Sequence, residues 1–296
     1  MSEEVPLYLG IDMGATNIRY AIVDGDGGVR CSESSALPDD VGARVEAPER
    51  ILERFSAEVS GVGLAVAGTV RDGVLGWSAS LGVQGVDFRG RLSSRFGGAV
   101  AVLNDARAAG LAEALVGAGR GSPSVLSITV GTGIGGAIVL DGRLLEGVGD
   151  AGEVGHIVIE PDGLECTCGR RGCWERYVGG RALLEQARAL KPGRAEALED
   201  VLSEAERGEP CSAALVDRAA ERFALGLDNV CAVLAPEVIV LGGGVIARDG
   251  WVSRRYISAL DSMRWGAQAV IRSSELGDAA GQIGAALCAA KNVTRS

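Results

Sequence analysis

Histidine is nearly absent from this chain: His156 is the only one among 296 residues. Aromatic residues are also few, at 4% of the chain, although hydrophobic residues reach 47%. No run of about 18 apolar residues is present, so we expect no membrane-spanning helix. Basic residues are outnumbered by acidic ones, and the formal net charge is −10. That balance disfavours non-specific binding to nucleic acid or to an anionic membrane surface.

The composition that remains is that of a globular protein with many tight backbone approaches, since glycine occurs 45 times. A chain of this length forms one or two domains with a full core. The amino terminus, MSEEVPLYLG, carries acidic residues where a secretory signal would carry basic ones. We therefore expect a cytoplasmic protein.

Two segments of the chain repeat one pattern. Residues 7–29 and 125–145 each indicate a strand, a glycine turn, a second strand and a turn of Gly and Asp. Alternating strands and helices in two similar halves predict an α/β protein of two related domains. We place these domains at 1–115 and 116–277, with a carboxy-terminal helix in 278–296 packing back onto the first. Helical spacing is found near 43–60, 106–116, 175–190, 194–207, 211–234 and 278–291.

The glycine turns of the two halves are candidate phosphate-binding loops. They read DMGATNIR from Asp12 and GTGIGG from Gly131. Glycine lets backbone N–H groups approach a polyphosphate, and threonine hydroxyls add donors. Each turn taken alone is equally compatible with an ordinary hairpin. With LGGGV at 241–245 they form a set that indicates a nucleotide held between two domains.

His156 precedes a cluster of three cysteines, Cys166, Cys168 and Cys173. One imidazole and three thiolates suit a tetrahedral Zn²⁺ in a closed structural site. A disulfide or a set of free thiols is the alternative, although a reducing cytosol disfavours the disulfide. The carboxylates of Glu153 and Glu175 flank this loop. The other cysteines are scattered and are expected to be small buried hydrophobes or idle thiols, namely Cys31, Cys211, Cys231 and Cys288.

Asn104 and Asp105 end a predicted buried strand and precede a helix. A carboxylate at this point commonly serves only as a helix N-cap. It is also suited to take the proton of an attacking hydroxyl as a general base. The residues alone leave both roles open.

The motifs together resemble a known superfamily. D-x-G-x-T-x-x-R, G-T-G-x-G-G and a late L-G-G-G are similar to the phosphate and adenosine motifs of the actin, hexokinase and Hsp70 ATPases. With E-x-G-H and C-x-C-G-x-x-G-C-x-E, the chain is identified as a member of the ROK family of repressors, open reading frames and sugar kinases, from residue 7 to about 290. The resemblance implies two ribonuclease-H-like α/β domains with a ligand cleft between them.

The resemblance also implies an activity and its residues. It implies ATP-dependent phosphorylation of a hexose, foremost glucose to glucose 6-phosphate in glycolysis, with Asp105 as the base and Asp12 anchoring Mg²⁺ through water. It places zinc on the histidine and the three clustered cysteines, and it implies a homodimer. The sugar-binding residues it implies are Gly68, Ser80, Asn104, Asp105, Glu153, His156 and Glu175. The nucleotide-binding residues are Asp12, Gly14, Ala15, Thr16, Asn17, Thr132, Gly133, Gly243 and Gly244.

The chain departs from the family pattern at two points. Ala67 and Gly68 stand where many ROK glucokinases have Pro-Gly, and Ser80 stands where they have Asn or His. Serine makes fewer hydrogen bonds than asparagine, so the departure bears on which sugar is bound and not on the kinase class. The alternatives are a broad-specificity hexokinase or a kinase for N-acetylmannosamine, N-acetylglucosamine, fructose or allose.

Two other classes of protein compete with the kinase. A sugar-responsive ROK repressor would carry an amino-terminal helix-turn-helix, whereas six residues precede the first strand here and no basic helix is found. An Hsp70-like or actin-like ATPase would be longer and would lack the cysteine cluster. We therefore expect small-molecule sugar and nucleotide as the binding partners, with no nucleic acid.

Overall fold

The computed structural model describes residues 5–191, 193, 195–246 and 250–293. The chain forms two compact units. The first comprises Met1–Pro123, Ala137–Ala151 and Glu275–Ser296, and the second comprises Ser124–Gly136 and Gly152–Ser274.

Strands and helices are interspersed along the chain. The strands are β1 (Leu7–Met13), β2 (Asn17–Asp24), β3 (Val29–Ala36), β4 (Gly61–Val66), β5 (Thr69–Arg71), β6 (Val74–Ser78), β7 (Val83–Asp87), β8 (Ala99–Asn104), β9 (Ser124–Val130), β10 (Ile134–Leu140), β11 (Arg143–Leu144), β12 (Val238–Gly242) and β13 (Val270–Ser273). The α-helices are α1 (Val41–Phe55), α2 (Phe88–Ser93), α3 (Asp105–Val116), α4 (Glu175–Val178), α5 (Gly180–Leu190), α6 (Leu198–Glu206), α7 (Pro210–Leu234), α8 (Trp251–Ala259) and α9 (Ala280–Val293). No helix of these described residues is long and apolar enough to cross a membrane.

Two five-stranded sheets share one topology. The first has the order β3-β2-β1-β4-β8 and the second the order β11-β10-β9-β12-β13. In the first sheet, β1 runs antiparallel to β2 and parallel to β4, which in turn is parallel to β8. In the second, β12 is parallel to both β9 and β13. Because parallel strands end at the same edge, the residues that follow β1, β4 and β8 lie along one edge of the first sheet.

Helix α9 packs directly on the first sheet through glycine. A Cβ at Gly10 of β1 would lie 1.8 Å from the carbonyl oxygen of Gln282, and one at Gly63 of β4 would lie 1.9 Å from that of Ala285. Gly284 approaches α3 as closely, since its Cβ would lie 1.8 Å from the carbonyl oxygen of Ala108. Only residues without a side chain allow backbones this near, so α9 packs tightly against both the first sheet and α3.

An aromatic stack fills the core of the second unit. Trp174 and Phe223 are stacked with ring centroids 5.7 Å apart, and Tyr256 lies 5.5 Å beyond Phe223. The indole packs directly against the backbone of Gly226 in α7, because a Cβ there would lie 2.3 Å from a ring carbon of Trp174. Trp174 directly follows Cys173, so this stack fixes the end of the cysteine loop to α7.

Candidate functional site

The first predicted phosphate loop is a hairpin turn between β1 and β2. The backbone N–H of Gly14 donates to the carbonyl of Asn17 at 3.0 Å, and the Asn17 amide donates to the Thr16 hydroxyl at 3.2 Å. Ala15 and Thr16 are exposed at the tip. An exposed turn of this kind presents its backbone N–H groups to a ligand.

Asp12 stands at the carboxyl end of β1, where α9 makes room for its side chain. A Cβ at Gly281 would lie 2.6 Å from Asp12 Oδ2. Burial, together with the negative charge of Asp105, raises the pKa of Asp12 to about 6, while the charge of Arg19 lowers it. Arg19 itself pairs with Asp278 at 3.4 Å. Because Asp12 is buried and lies near another carboxylate, a bound cation would stabilise its ionised form.

Of the two roles that the sequence left open for Asp105, the structure tests the helix cap. Asn104 is the N-cap of α3, and its Oδ1 accepts from the backbone N–H of Arg107 at 3.1 Å. Asp105 is the first residue of the helix, and its Oδ1 accepts from the Asn104 amide and the Ala106 N–H, both at 2.9 Å. Burial raises the pKa of Asp105, and these hydrogen bonds oppose the rise. Because the cap is Asn104, the carboxylate of Asp105 is held in place but is not needed to begin the helix.

Gly68 belongs to the same edge of the sheet, and Ser80 lies on the segment after β6. The Asn104 amide donates to the carbonyl of Gly68 at 3.1 Å. Gly68 has φ +132°, and a Cβ there would lie 2.5 Å from the Trp77 carbonyl, so glycine is required. Ser80 is exposed, with its hydroxyl 3.2 Å from that of Ser78. The first unit thus brings Asp12, Gly68, Asn104 and Asp105 to one sheet edge.

The second predicted phosphate loop joins β9 to β10 in a tight turn. The N–H of Gly131 donates to the Gly133 carbonyl at 3.0 Å, and the first residue of α5, Gly180, donates to the Gly131 carbonyl at 2.8 Å. Gly243 packs against the end of β9, with φ +91° and a would-be Cβ 2.5 Å from the Val130 carbonyl. The turn and the Gly243–Gly244 segment are therefore neighbours.

The histidine and the three clustered cysteines converge as a candidate metal centre. The His156 Nδ1 and Cys166 Sγ atoms are 3.6 Å apart, as are Cys168 Sγ and Cys173 Sγ. All four donor atoms lie within 4.8 Å of one another. Four donors at zinc-bond lengths around a tetrahedral centre are about 3.5 to 3.8 Å apart, so the donor set fits Zn²⁺. None of the seven cysteines, all of which lie within the described residues, forms a disulfide, which argues against the disulfide alternative.

The two glutamates that flank the cysteine loop lie at the starts of different short helices. Glu153 is the N-cap of a short 3-10 helix, Val154–His156, and its carbonyl accepts from the His156 N–H at 3.1 Å. Glu175 begins α4, and its Oε1 lies 3.5 Å from Cys166 Sγ and 3.9 Å from His156 Nδ1. Because Nδ1 faces the sulfurs, Nε2 is the nitrogen that is available to a ligand.

Sequence reasoning missed a set of charged residues that bind one another or the backbone within the first unit. Arg107 and Glu113 of α3 are both buried, and each binds backbone groups elsewhere in the first unit. Arg71 and Asp150 form a bidentate ion pair, with Arg71 Nε donating to Asp150 Oδ1 at 2.9 Å. The available signal was weak: a single Arg and a single Glu in an otherwise Ala- and Leu-rich helix.

Comparison with known proteins identifies the family. The ROK family model matches residues 8–292. The chain belongs to the ROK family. It is 31% identical to a glucokinase of Streptomyces coelicolor over 95% of this chain and 96% of that protein. It is 33% identical to the kanosamine kinase of Amycolatopsis mediterranei over 82% of each chain.

Solved ROK structures share the fold. The ROK hexokinase of Thermus thermophilus matches with a TM-score of 0.85 and 33% identity over 98% of this chain and 100% of that one. A ROK glucokinase of Streptomyces griseus, solved in complex with glucose and AMPPNP, matches with a TM-score of 0.77 and 30% identity over 96% of this chain and 99% of that one. The predicted α/β, actin-like ATPase fold is therefore confirmed.

Proposed function

We propose that this ROK protein transfers the γ-phosphoryl group of ATP to glucose, giving glucose 6-phosphate. The class, an ATP-dependent sugar kinase, is supported by the glucokinase of Streptomyces coelicolor and by the Streptomyces griseus structure with glucose and AMPPNP. The relatives also include a kanosamine kinase and an N-acetylmannosamine kinase, the latter 32% identical. The relatives thus act on different sugars, and the experiment below compares glucose with the others.

The observation that carries the proposal is the arrangement at the start of α3. Asn104 caps the helix, and its amide orients the carboxylate of Asp105. A sugar hydroxyl is a weak nucleophile, and a fixed carboxylate takes its proton as the bond to phosphorus forms. The raised pKa of Asp105 makes it a stronger base than an exposed aspartate. The remaining requirement of phosphoryl transfer is positioning and charge stabilisation.

The phosphate groups would be held by the two glycine turns. We assign Gly14 through Asn17 to one set of backbone donors, and Thr132 and Gly133 to the other, with Gly243 and Gly244 against the adenosine. Asp12 would hold Mg²⁺ through water, and the ion, when bound, neutralises charge on the phosphates. The raised pKa of Asp12 fits a carboxylate that gains from such a cation.

Two groups of residues are assigned to sugar binding. Gly68, Ser80 and Asn104 serve in the first unit, and Glu153, His156 and Glu175 in the second. A zinc ion on His156 and the three clustered cysteines would fix the loop that carries these last residues. The ion supplies no chemistry to the transfer itself, and its role is structural.

The test is a sugar screen with the purified protein, ATP and Mg²⁺. Glucose, N-acetylmannosamine, N-acetylglucosamine, fructose and allose are compared by kcat/KM, with the sugar phosphates identified by mass spectrometry. We expect glucose to give the highest value. A higher value for another sugar keeps the kinase class and replaces glucose. No sugar phosphate above the level of a control without protein would contradict the kinase class.

A further inference from the structure

The chain passes between the two units at four points. One lies inside β10, and the others follow Pro123, Ala151 and Ser274. Near each of the last three passages, a side chain of α3 binds residues of the first unit. This helix also begins with Asp105.

Arg107 binds the segment that ends at Ala151. Its Nη1 donates to the carbonyl of Gly149 at 2.7 Å and its Nη2 to that of Leu145 at 3.4 Å. Asp150 lies in the same segment, where the charges of Arg71 and Arg107 both lower its pKa. Arg107 is only 5% exposed and follows Asp105 by two residues. The guanidinium therefore ties the start of α3 to residues 145–149.

Glu113 binds the other two segments. Its Oε1 accepts from the backbone N–H of Glu275 at 2.9 Å and of Leu276 at 2.8 Å. Its Oε2 accepts from the N–H of Ala118 at 3.0 Å. Gly117 makes room for this carboxylate, because a Cβ there would lie 2.3 Å from Oε2. One buried carboxylate thus holds the chain just before the first passage and just after the last.

We propose that Arg107 and Glu113 are positioning residues that hold these three connecting segments on the helix that carries Asp105. Hydrogen bonds stabilise a buried charged group, and the partners of the Glu113 carboxylate and of the two Arg107 Nη atoms are backbone groups of the connections. The segment bound by Arg107 ends two residues before Glu153, so its anchoring limits where that carboxylate can lie. Neither side chain takes part in the chemistry.

This inference rests on the proposed kinase function for its activity readout, and the two are separable. The variants are Arg107→Lys and Glu113→Gln, with Glu113→Asp as a second variant that keeps the charge but withdraws it by one methylene. The matched control is Glu49→Gln. Glu49 is a similarly buried carboxylate of the first unit, 4% exposed, that binds Arg91 at 2.5 Å and Arg95 at 2.6 Å, none of them near a connection.

Two measurements are made on each variant. The first is kcat for sugar phosphorylation at a temperature well below Tm. The second is amide hydrogen exchange without ligands, on peptides that cover 117–119, 145–151 and 275–276. A misplacement of about 1 Å can cost up to about a hundredfold in rate, so we expect kcat to fall by about tenfold or more in the Arg107 and Glu113 variants. Amide exchange should become faster in the segments that each residue binds. Glu49→Gln should lower Tm but change neither kcat nor the exchange of these segments.

Equal losses of Tm in all variants, with kcat within about twofold of the parent protein, would overturn the inference. If the parent protein phosphorylates no sugar, the proposed function is wrong and the exchange measurement decides alone. Faster exchange confined to the bound segments then supports the anchoring, and unchanged exchange there refutes it.

Discussion

Gly133 leaves the space that the carboxylate of Glu175 occupies. A Cβ at Gly133 would lie 2.6 Å from Glu175 Oε2, while Oε1 of the same carboxylate lies 3.5 Å from Cys166 Sγ. Glu175 thus joins the turn after β9 to the candidate metal centre. The two motifs, which are far apart in sequence, meet at one side chain.

Replacing Glu175 with Gln should weaken sugar binding more than it slows the reaction. A hydrogen bond to a charged group contributes about 1.5 to 3 kcal/mol, so we expect KM for the sugar to rise about tenfold or more, with a smaller change in kcat. Gly133→Ala should act in the same direction, because the added methyl displaces the carboxylate. Steady-state kinetics with varied sugar measures both. An unchanged KM in Glu175→Gln would remove this residue from the sugar site.

Asp105→Asn should abolish most turnover while sugar binding survives. Asparagine keeps the shape and accepts the same hydrogen bonds, but it cannot take a proton, so kcat should fall by about 10² to 10⁴-fold. Single-turnover kinetics and sugar titration separate the two effects. Retention of more than about a tenth of turnover would mean that the base lies elsewhere.

Zinc should be found in the purified protein at about one ion per chain. Cys173→Ser should lose most of it, because serine does not replace a thiolate ligand, and Tm should fall by about 5 °C or more. Cys211→Ser is the matched control, since that thiol is exposed on α7 of the same unit. Elemental analysis and thermal unfolding are the measurements. A full complement of zinc in Cys173→Ser would show that the metal is bound elsewhere.

Asp12→Asn should stabilise the ligand-free protein near neutral pH while destroying activity. The folded-state pKa of Asp12 is about 6, above its ordinary value of 3.8, so the free energy of unfolding falls as pH rises between these values. Removing the charge should raise the free energy of unfolding by up to about 3 kcal/mol above pH 6, and it should leave this free energy unchanged below pH 4. Denaturant unfolding at several pH values measures the difference. The exposed Asp26 provides the control variant, Asp26→Asn, in which no such gain is expected.

Gly226→Ala should destabilise the second unit. Alanine usually stabilises a helix interior relative to glycine by up to about 1 kcal/mol. Here the methyl would meet the fully buried ring of Trp174 at 2.3 Å, and overpacking of this kind costs about 1 to 3 kcal/mol. Thermal unfolding shows whether Gly226→Ala raises or lowers Tm. Gly25→Ala, where an added Cβ meets nothing within 4 Å, is the control.

The strands and helices with clear periodicity could be predicted from the sequence, and others could not. The helix predicted at 43–60 begins earlier, at Val41, because Asp40 caps it with a 2.8 Å hydrogen bond to the Ala43 N–H. β3 was missed because it is an edge strand with every residue exposed, and it carries no apolar alternation. The sheet of β5, β6 and β7 was missed because its strands are short and divided by glycine.

The candidate site was predictable where local motifs define it. The grouping of His156 with the three clustered cysteines follows from residue type and spacing, and the glycine turns follow from their flanking strands. The sequence could not show whether Asn104 or Asp105 caps the helix, because both side chains can do so. Only the folded structure shows that Asn104 is the cap. Arg107 and Glu113 were missed for a related reason. A charged residue in a predicted helix is expected at the surface, and only the folded structure shows which segments pack over it.

The indole of Trp174 gives this protein an optical label at a useful position. Of the four tryptophans, all among the described residues, Trp77 and Trp265 are exposed, whereas Trp174 is fully enclosed by α7 and Phe223. An enclosed indole emits at shorter wavelength than one in water. Trp174 also lies between Cys173 and Glu175. Its emission should therefore report, without any added dye, when the loop that ends at Cys173 loosens from α7.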